Sequence, residues 1–404
     1  MEKIEQKNNP VENIENAEKR EHIVFTETIQ KSIIDTFPFT SEEDKNVFSC
    51  KFKSIIESCG DLSETELLKN IRLVIASLEN THTDLEEKAG TEYYLEKQIF
   101  YKAGKFWIDD NGVALEVVAI NGVAIDDLIK EKMKENGGGT TGYRINTALR
   151  HLINSKTSDS ITLGVKRKNE VSTLTVGFVE KKESAMPVTS KRFVGGKMLD
   201  QNTGYLQIKS WSNHVNFDGK NVADLVEEEL KTLATSKFLI IDVRENSGGN
   251  SSLAEKLAGH FVKQRTHYGT VLKRQTQEGE LVSSKLYLKP QGDFWDKKVV
   301  VLTGPKCLSS NEMFIMMMKD TDSAVTIGQT TGGGSGNPKS FEIPLGEKKY
   351  ALSVSSWKMI RNNGNNLESV GIEPDVLVET SPEDVINHRD VELEVAREYL
   401  RSNG

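Results

Sequence analysis

Two apolar runs, Phe238-Leu239-Ile240-Ile241-Asp242-Val243 and Val299-Val300-Val301-Leu302, set the strongest limit on what this chain can become. Neither alternates apolar with polar residues, so each suits a strand covered on both faces, as in a parallel sheet. Each run ends in a turn and hands over to a helix. The first turn is Arg244-Glu245-Asn246-Ser247-Gly248-Gly249-Asn250, and the second runs from Thr303-Gly304-Pro305 to Ser309-Ser310-Asn311-Glu312. Tyr205-Leu206-Gln207-Ile208 is a further strand, and helices are expected over 222–233, 253–262 and 312–319. That alternation predicts an α/β layer with a mostly parallel sheet.

The flanks differ in character. Residues 1–20 are charged, rich in Asn and Glu and poor in aromatics, so they are expected to form a disordered tail. Residues 21–90 read as a helical module. Ile29, Ile33, Ile34 and Phe37 recur at helical spacing, and Leu67, Leu68, Ile71, Val74, Ile75 and Leu78 form another stripe. Residues 91–185 read as β-rich. Short strands are expected at 99–101, 106–108 and 115–120, followed by an Asn121-Gly122 turn. A helix over 123–134 and the loop Gly137-Gly138-Gly139 come next, then paired strands at 160–167 and 172–176. The α/β region spans 190–385, and 386–404 is expected to close the chain as a helix.

Composition narrows the function. The chain has 404 residues and a net charge of −8, which argues against general nucleic-acid binding, because phosphate contacts need a basic face. No stretch of about 18 apolar residues occurs, so no membrane span is expected. Met1 to Pro10 holds no apolar signal region, which points to the cytoplasm unless a leader has been removed. Three cysteines, Cys50, Cys59 and Cys307, are too few for a disulfide scaffold. No Cys/His cluster has metal-ligand spacing, so neither a metal nor a cofactor is expected.

Several segments could carry chemistry, and each has a purely structural alternative. Ser309 sits where a strand passes to a helix, where backbone N–H groups and the helix dipole favour developing negative charge. Ser309-x-x-Glu312 is equally the pattern of a capping box. Gly248-Gly249 can turn N–H groups outward toward an oxyanion, or can simply make a tight connection. Gly328-Gln329-Thr330-Thr331-Gly332-Gly333-Gly334-Ser335-Gly336 lacks the frame of a phosphate loop and suits a cleft border. Glu368 could orient a base or be a solvated carboxylate. In Thr81-His82-Thr83-Asp84, a histidine between hydroxyls can have its tautomer fixed, as a general base requires. His214 is the rival base.

Taken in order, Tyr205 to Ile208, Asp242-x-Arg244-x-Asn246-x-Gly248-Gly249, Ser309-Ser310-x-Glu312, Gly328-x-x-Thr331-x-Gly333 and Gly371-Ile372-x-Pro374-Asp375 resemble the C-terminal processing peptidases and tricorn-core serine proteases. The resemblance covers about residues 200–380. It implies a ClpP/crotonase-like α/β catalytic core. It also implies a PDZ-like domain, to which residues 91–185 are similar in degenerate form. By the same resemblance Ser309 is the nucleophile, and the oxyanion hole comes from Gly248 or Gly249 and Ser310. Tail-processing members use a lysine base where this chain has Gly334, and Lys339 is out of register in a polar segment. The tricorn-like arrangement therefore fits better, with His82 as base, Thr81 beside it and Glu368 behind. The implied activity is serine endopeptidase action on peptides or unfolded proteins, or peptide binding by an inactive relative.

Overall fold

The computed structural model describes residues 10–88, 92–155, 159–180, 193–213, 220–274 and 280–403. The described residues open with three α-helices, α1 (Pro10–Thr36), α2 (Glu42–Ser58) and α3 (Glu64–Ala76). Ser41 caps α2 by accepting from Asp44 N, and Ser63 with Glu66 forms a complete capping box on α3. Phe25, Ile29 and Ile33 of α1 pack with Phe48, Phe52 and Ile55 of α2 and Leu67, Ile71 and Ile75 of α3. Residues 10–20 are therefore helical, not the loose tail that composition suggested; residues 1–9 lie outside the described residues. Pro10 is tolerated in a first helical turn, and the charges of Glu18, Lys19 and Arg20 form a solvated face, which composition alone does not separate from disorder.

After α3 the chain forms β1 (Asp84–Glu87) and enters the β-rich region. This holds β2 (Tyr93–Leu95), β3 (Ile99–Lys102), β4 (Lys105–Asp109), β5 (Ala114–Ile120) and β6 (Val123–Ala124). Next come α4 (Ile125–Lys132), α5 (Thr141–Ile153), β7 (Asn154–Ser155), β8 (Ser160–Arg167) and β9 (Glu170–Glu180). The strands pair antiparallel in the order β3-β4-β5-β8-β9-β2-β7. Ile125, Ile129, Ala148 and Leu149 of the two helices close its core. The helix expected from Val123 begins at Ile125, because Val123 and Ala124 pair with Ile120 and Ala119 first.

The α/β region supplies the largest core. It contains β10 (Val194–Met198), β11 (Thr203–Ile208), α6 (Val222–Thr232), β12 (Phe238–Asp242), α7 (Ser251–Ala258), β13 (Thr266–Arg274), β14 (Leu281–Leu288) and β15 (Lys298–Thr303). It continues through α8 (Ser310–Lys319), β16 (Val325–Gly328), β17 (Lys339–Leu345), β18 (Lys348–Val354), β19 (Trp357–Arg361) and β20 (Val376–Leu377). The helices α9 (Pro382–Ile386) and α10 (Val391–Ser402) follow. A six-stranded sheet has the order β10-β11-β12-β15-β16-β20 and is parallel apart from β10. Leu239, Ile241, Val299 and Val301 face α6, α7 and α8, while Ile240, Val300 and Leu302 face α10. Both faces are covered, as the uninterrupted apolar runs predict.

One connection crosses the expected boundaries. β18 pairs with β1 on one side and with β17 on the other, and Ile343, Leu345, Tyr350, Leu352 and Val354 complete the core of the helical module. The register sets Leu85 opposite Leu352. The module is thus built into the α/β region, and this union carries the 80–83 turn against the glycine loop at Gly334 and Gly336.

Candidate active site

The second apolar run ends at Thr303, and α8 starts at Ser310. Ser309 between them adopts φ +58° and ψ −128°, a conformation that residues with a Cβ rarely hold. Its N–H donates to Gly334 O at 2.7 Å, which fixes the turn against the glycine loop. Ser309 is half-buried and its side chain makes no helix-capping bond. Glu312 does not reach back to Ser309 either. Its buried carboxylate accepts from Thr331 Oγ1, from Gly333 N at 2.9 Å and from Gly334 N at 2.7 Å. The capping-box alternative therefore fails: this carboxylate holds the glycine loop. Burial pushes its pKa up to about 8 against those three donors.

The first apolar run ends beside the same helix. Asn311, fully buried on α8, donates to Val243 O at 3.1 Å and Asn246 O at 2.9 Å and accepts from Trp211 Nε1 at 3.1 Å. These bonds hold the Gly248-Gly249 turn against Ser309: a Cβ on Gly248 would lie 2.9 Å from Ser309 Cβ and 3.2 Å from Ser310 N. The two glycines differ. Gly248 N–H already donates to Asn246 Oδ1 at 2.8 Å. Trp211 takes Gly248 O and Asn250 N on one side of the turn, while Gly249 O accepts from Ser310 Oγ at 2.6 Å on the other. Of the sequence-derived donors, Gly249 N and Ser310 N are thus the pair not engaged by Asn246.

Glu368, Thr81 and His82 form a hydrogen-bonded chain. Glu368 is 7% exposed; its Oε1 accepts from Thr81 N at 2.9 Å and Thr81 Oγ1 at 3.1 Å, and its Oε2 from Ser335 N at 3.2 Å. Thr81 Oγ1 lies 2.9 Å from His82 Nδ1. Because an ionised carboxylate only accepts, the threonine hydroxyl gives its hydrogen to Glu368 and offers its oxygen to Nδ1–H. That assignment leaves the Nε2 lone pair of His82 unprotonated. Burial lowers the His82 pKa to about 4 and raises that of Glu368 to about 7, the latter against its three donors.

The glycine loop joins the two halves. A Cβ on Gly334 would fall 1.7 Å from Thr81 Oγ1, and one on Gly336 would fall 2.8 Å from His82 Cβ. The Thr81 hydroxyl therefore fills the space through which any side chain at position 334 would leave the backbone. Ser309 N, Glu312, Thr81 and Glu368 all meet this loop. Among the described residues, no hydrogen bond joins the His82 ring to the Ser309 hydroxyl.

Of the rivals, Lys339 is exposed at the start of β17, and His214 lies outside the described residues. Sequence reasoning missed the loop Gly137-Gly138-Gly139 as part of the site. A Cβ on Gly138 would fall 2.2 Å from Asn80 C, and Thr140 N donates to Gly332 O at 2.8 Å. The run of three glycines was the signal, since close backbone approach on several sides requires it. Among the described residues, no group of three His, Cys, Asp or Glu side chains could hold a metal ion, and no helix is long and apolar enough to cross a membrane.

Part of this arrangement lies in a segment that matches a known domain. Residues 202–378 match peptidase family S41. The carboxy-terminal processing protease CtpB of Bacillus subtilis is 23% identical over 244 residues, covering 60% of this chain and 47% of that protein. The tricorn protease homolog of Saccharolobus solfataricus is 28% identical over 162 residues, covering 40% of this chain and 14% of that protein. The chain thus spans less than half the length of these two relatives. In fold it is similar to mature CPAF complexed with lactacystin, with a TM-score of 0.74 at 14% identity over 96% of this chain and 98% of that one. The photosystem II D1 C-terminal processing protease shares the fold at a TM-score of 0.55 and 13% identity, over 89% of this chain and 93% of that one. His82 and Thr81 lie outside the S41 segment, on the helical module.

Proposed function

We propose that the chain is a serine endopeptidase that cleaves peptides or unfolded proteins through an acyl-enzyme. The observation that carries this reading is the chain Glu368–Thr81–His82 ending against the loop that also holds Ser309 N. Ser309 Oγ attacks the scissile carbonyl, and His82 Nε2 takes its proton and returns it to the leaving amine. Thr81 and Glu368 keep Nδ1 protonated and stabilise the imidazolium as it forms. The oxyanion is received by the N–H groups of Gly249 and Ser310, each contributing about 3 kcal/mol to lowering the barrier. Hydrolysis of the acyl-enzyme by water repeats the sequence.

The test is hydrolysis of casein and fluorogenic peptides, with fluorophosphonate labelling of Ser309. Ser309→Ala should abolish labelling and lower turnover by roughly 10⁴-fold or more. Unchanged rates in His82→Ala would remove the base assignment. One observation favours a second reading, a peptide-binding relative without catalysis: the His82 ring and Ser309 hydroxyl are not hydrogen-bonded. Peptide binding with neither labelling nor turnover would establish that reading instead.

A further inference from the structure

The 80–83 turn holds one residue for which neither the resemblance nor the family match gives a role. Asn80 is 6% exposed and stands two residues before His82. Its Oδ1 accepts from His82 N at 3.0 Å and from Thr83 Oγ1 at 2.9 Å. Thr83 Oγ1 in turn accepts from Ser355 N at 3.1 Å, tying the turn to the end of β18. The carboxamide thus replaces the backbone acceptor that His82 would have in a helix or strand, and it bends the chain directly after α3. Glu79 just before it is at φ +50°, so the chain leaves the helix through a left-handed residue and enters the turn at Asn80. Gly138 covers the turn from outside, since a Cβ there would meet Asn80 C and Thr81 N at 2.2 and 2.3 Å.

We infer that Asn80 is the positioning residue of the proposed base, holding the His82 backbone so that the imidazole stands between Thr81 and the Ser309 side of the cleft. The inference rests on the serine-peptidase reading and adds to it a part that acts through His82 without touching substrate. The backbone N–H of Thr81 is fixed by Glu368, and that of His82 by Asn80. The two consecutive residues are thus anchored by independent side chains. Without the Asn80 acceptor, His82 N is left unsatisfied in a partly buried turn and the ring is free to swing.

The experiment compares Asn80→Ala, Asn80→Asp, His82→Ala and the double variant Asn80→Ala/His82→Ala on one fluorogenic peptide, with thermal unfolding as a check on folding. Asn80→Ala should lower kcat by about 100-fold with little change in KM, the loss expected when a reacting group is misplaced by about 1 Å. The double variant should fall no lower than His82→Ala, because Asn80 acts through that ring. Asn80→Asp keeps the acceptor oxygen and should restore most of the turnover. It should also move the acid limb of the pH profile upward, since a carboxylate nearby favours the imidazolium. An unchanged kcat in Asn80→Ala, or losses that multiply in the double variant, would overturn the inference. If Asn80→Ala does not fold, Asn80→Asp decides: turnover no higher than that of His82→Ala in a folded Asn80→Asp protein overturns it. A silent His82→Ala would instead sink the underlying reading, and the inference with it.

Discussion

Position 334 shows how one residue type constrains the chemistry available here. With no side chain, Gly334 donates its N–H to Glu312, accepts from Ser309 N and lies under the Thr81 hydroxyl. A lysine base at this position and a Thr81–His82 pair compete for the same volume. Gly334→Ala is therefore expected to displace Thr81 and with it the imidazole, lowering kcat by about 100-fold while the circular dichroism spectrum is retained. The two shifted groups set a pH dependence. The proposed mechanism needs neutral His82 and ionised Glu368, and both forms grow as pH rises through about 4 and about 7 respectively. Turnover should thus climb between those values, and Glu368→Gln should abolish the upper limb; a profile flat from pH 5 to 8 in the unsubstituted protein contradicts this. Glu312→Gln exchanges one acceptor oxygen for an amino group facing a backbone N–H. It should cost about 1–3 kcal/mol in urea unfolding, and slow Ser309 labelling.

At the scale of elements, the apolar runs at 238–243 and 299–302 were legible because a strand buried on both faces has no other composition available to it. The helical stripes of the first module and the strand pair after residue 160 were legible from their periods in the same way. The glycine and serine turns were read correctly as the ends of the parallel strands. The role of Glu312 was not, because a carboxylate three residues after a serine looks the same whether it caps its own helix or reaches a loop beyond the next strand. The split between Gly248 and Gly249 was equally hidden, since it depends on where the Asn246 side chain turns. The fate of residues 10–20 was misread because a charged helix face and a disordered tail share a composition. β1 and β18 hold the 80–83 turn in place through Leu85 and Leu352, both buried. Leu352→Ala should destabilise by about 2–5 kcal/mol in chemical denaturation. It should also lower kcat, although the side chain does not reach the site.

For the whole molecule, the decisive fact was not legible at all. Long-range pairing of β1 with β18 places a helical hairpin region against strands more than two hundred residues later, and no local periodicity encodes that partnership. The spacing of the proposed catalytic groups follows from it: Thr81 and Glu368 are bonded across 287 positions. A fragment beginning at residue 190 would leave Ile343, Leu345, Tyr350, Leu352 and Val354 without their partners from α1, α2 and α3. It is expected to elute as aggregate in gel filtration and to resist fluorophosphonate labelling, whereas the full chain elutes as a discrete species and labels.

That wide separation also bears on synthesis. Of the three groups a ribosome delivers the imidazole first, the hydroxyl much later and the orienting carboxylate after both. On the proposed chemistry, a polypeptide made only as far as the hydroxyl carries no competent cutting centre, and its own unfolded stretches are safe from it until Glu368 has been added and folded into place.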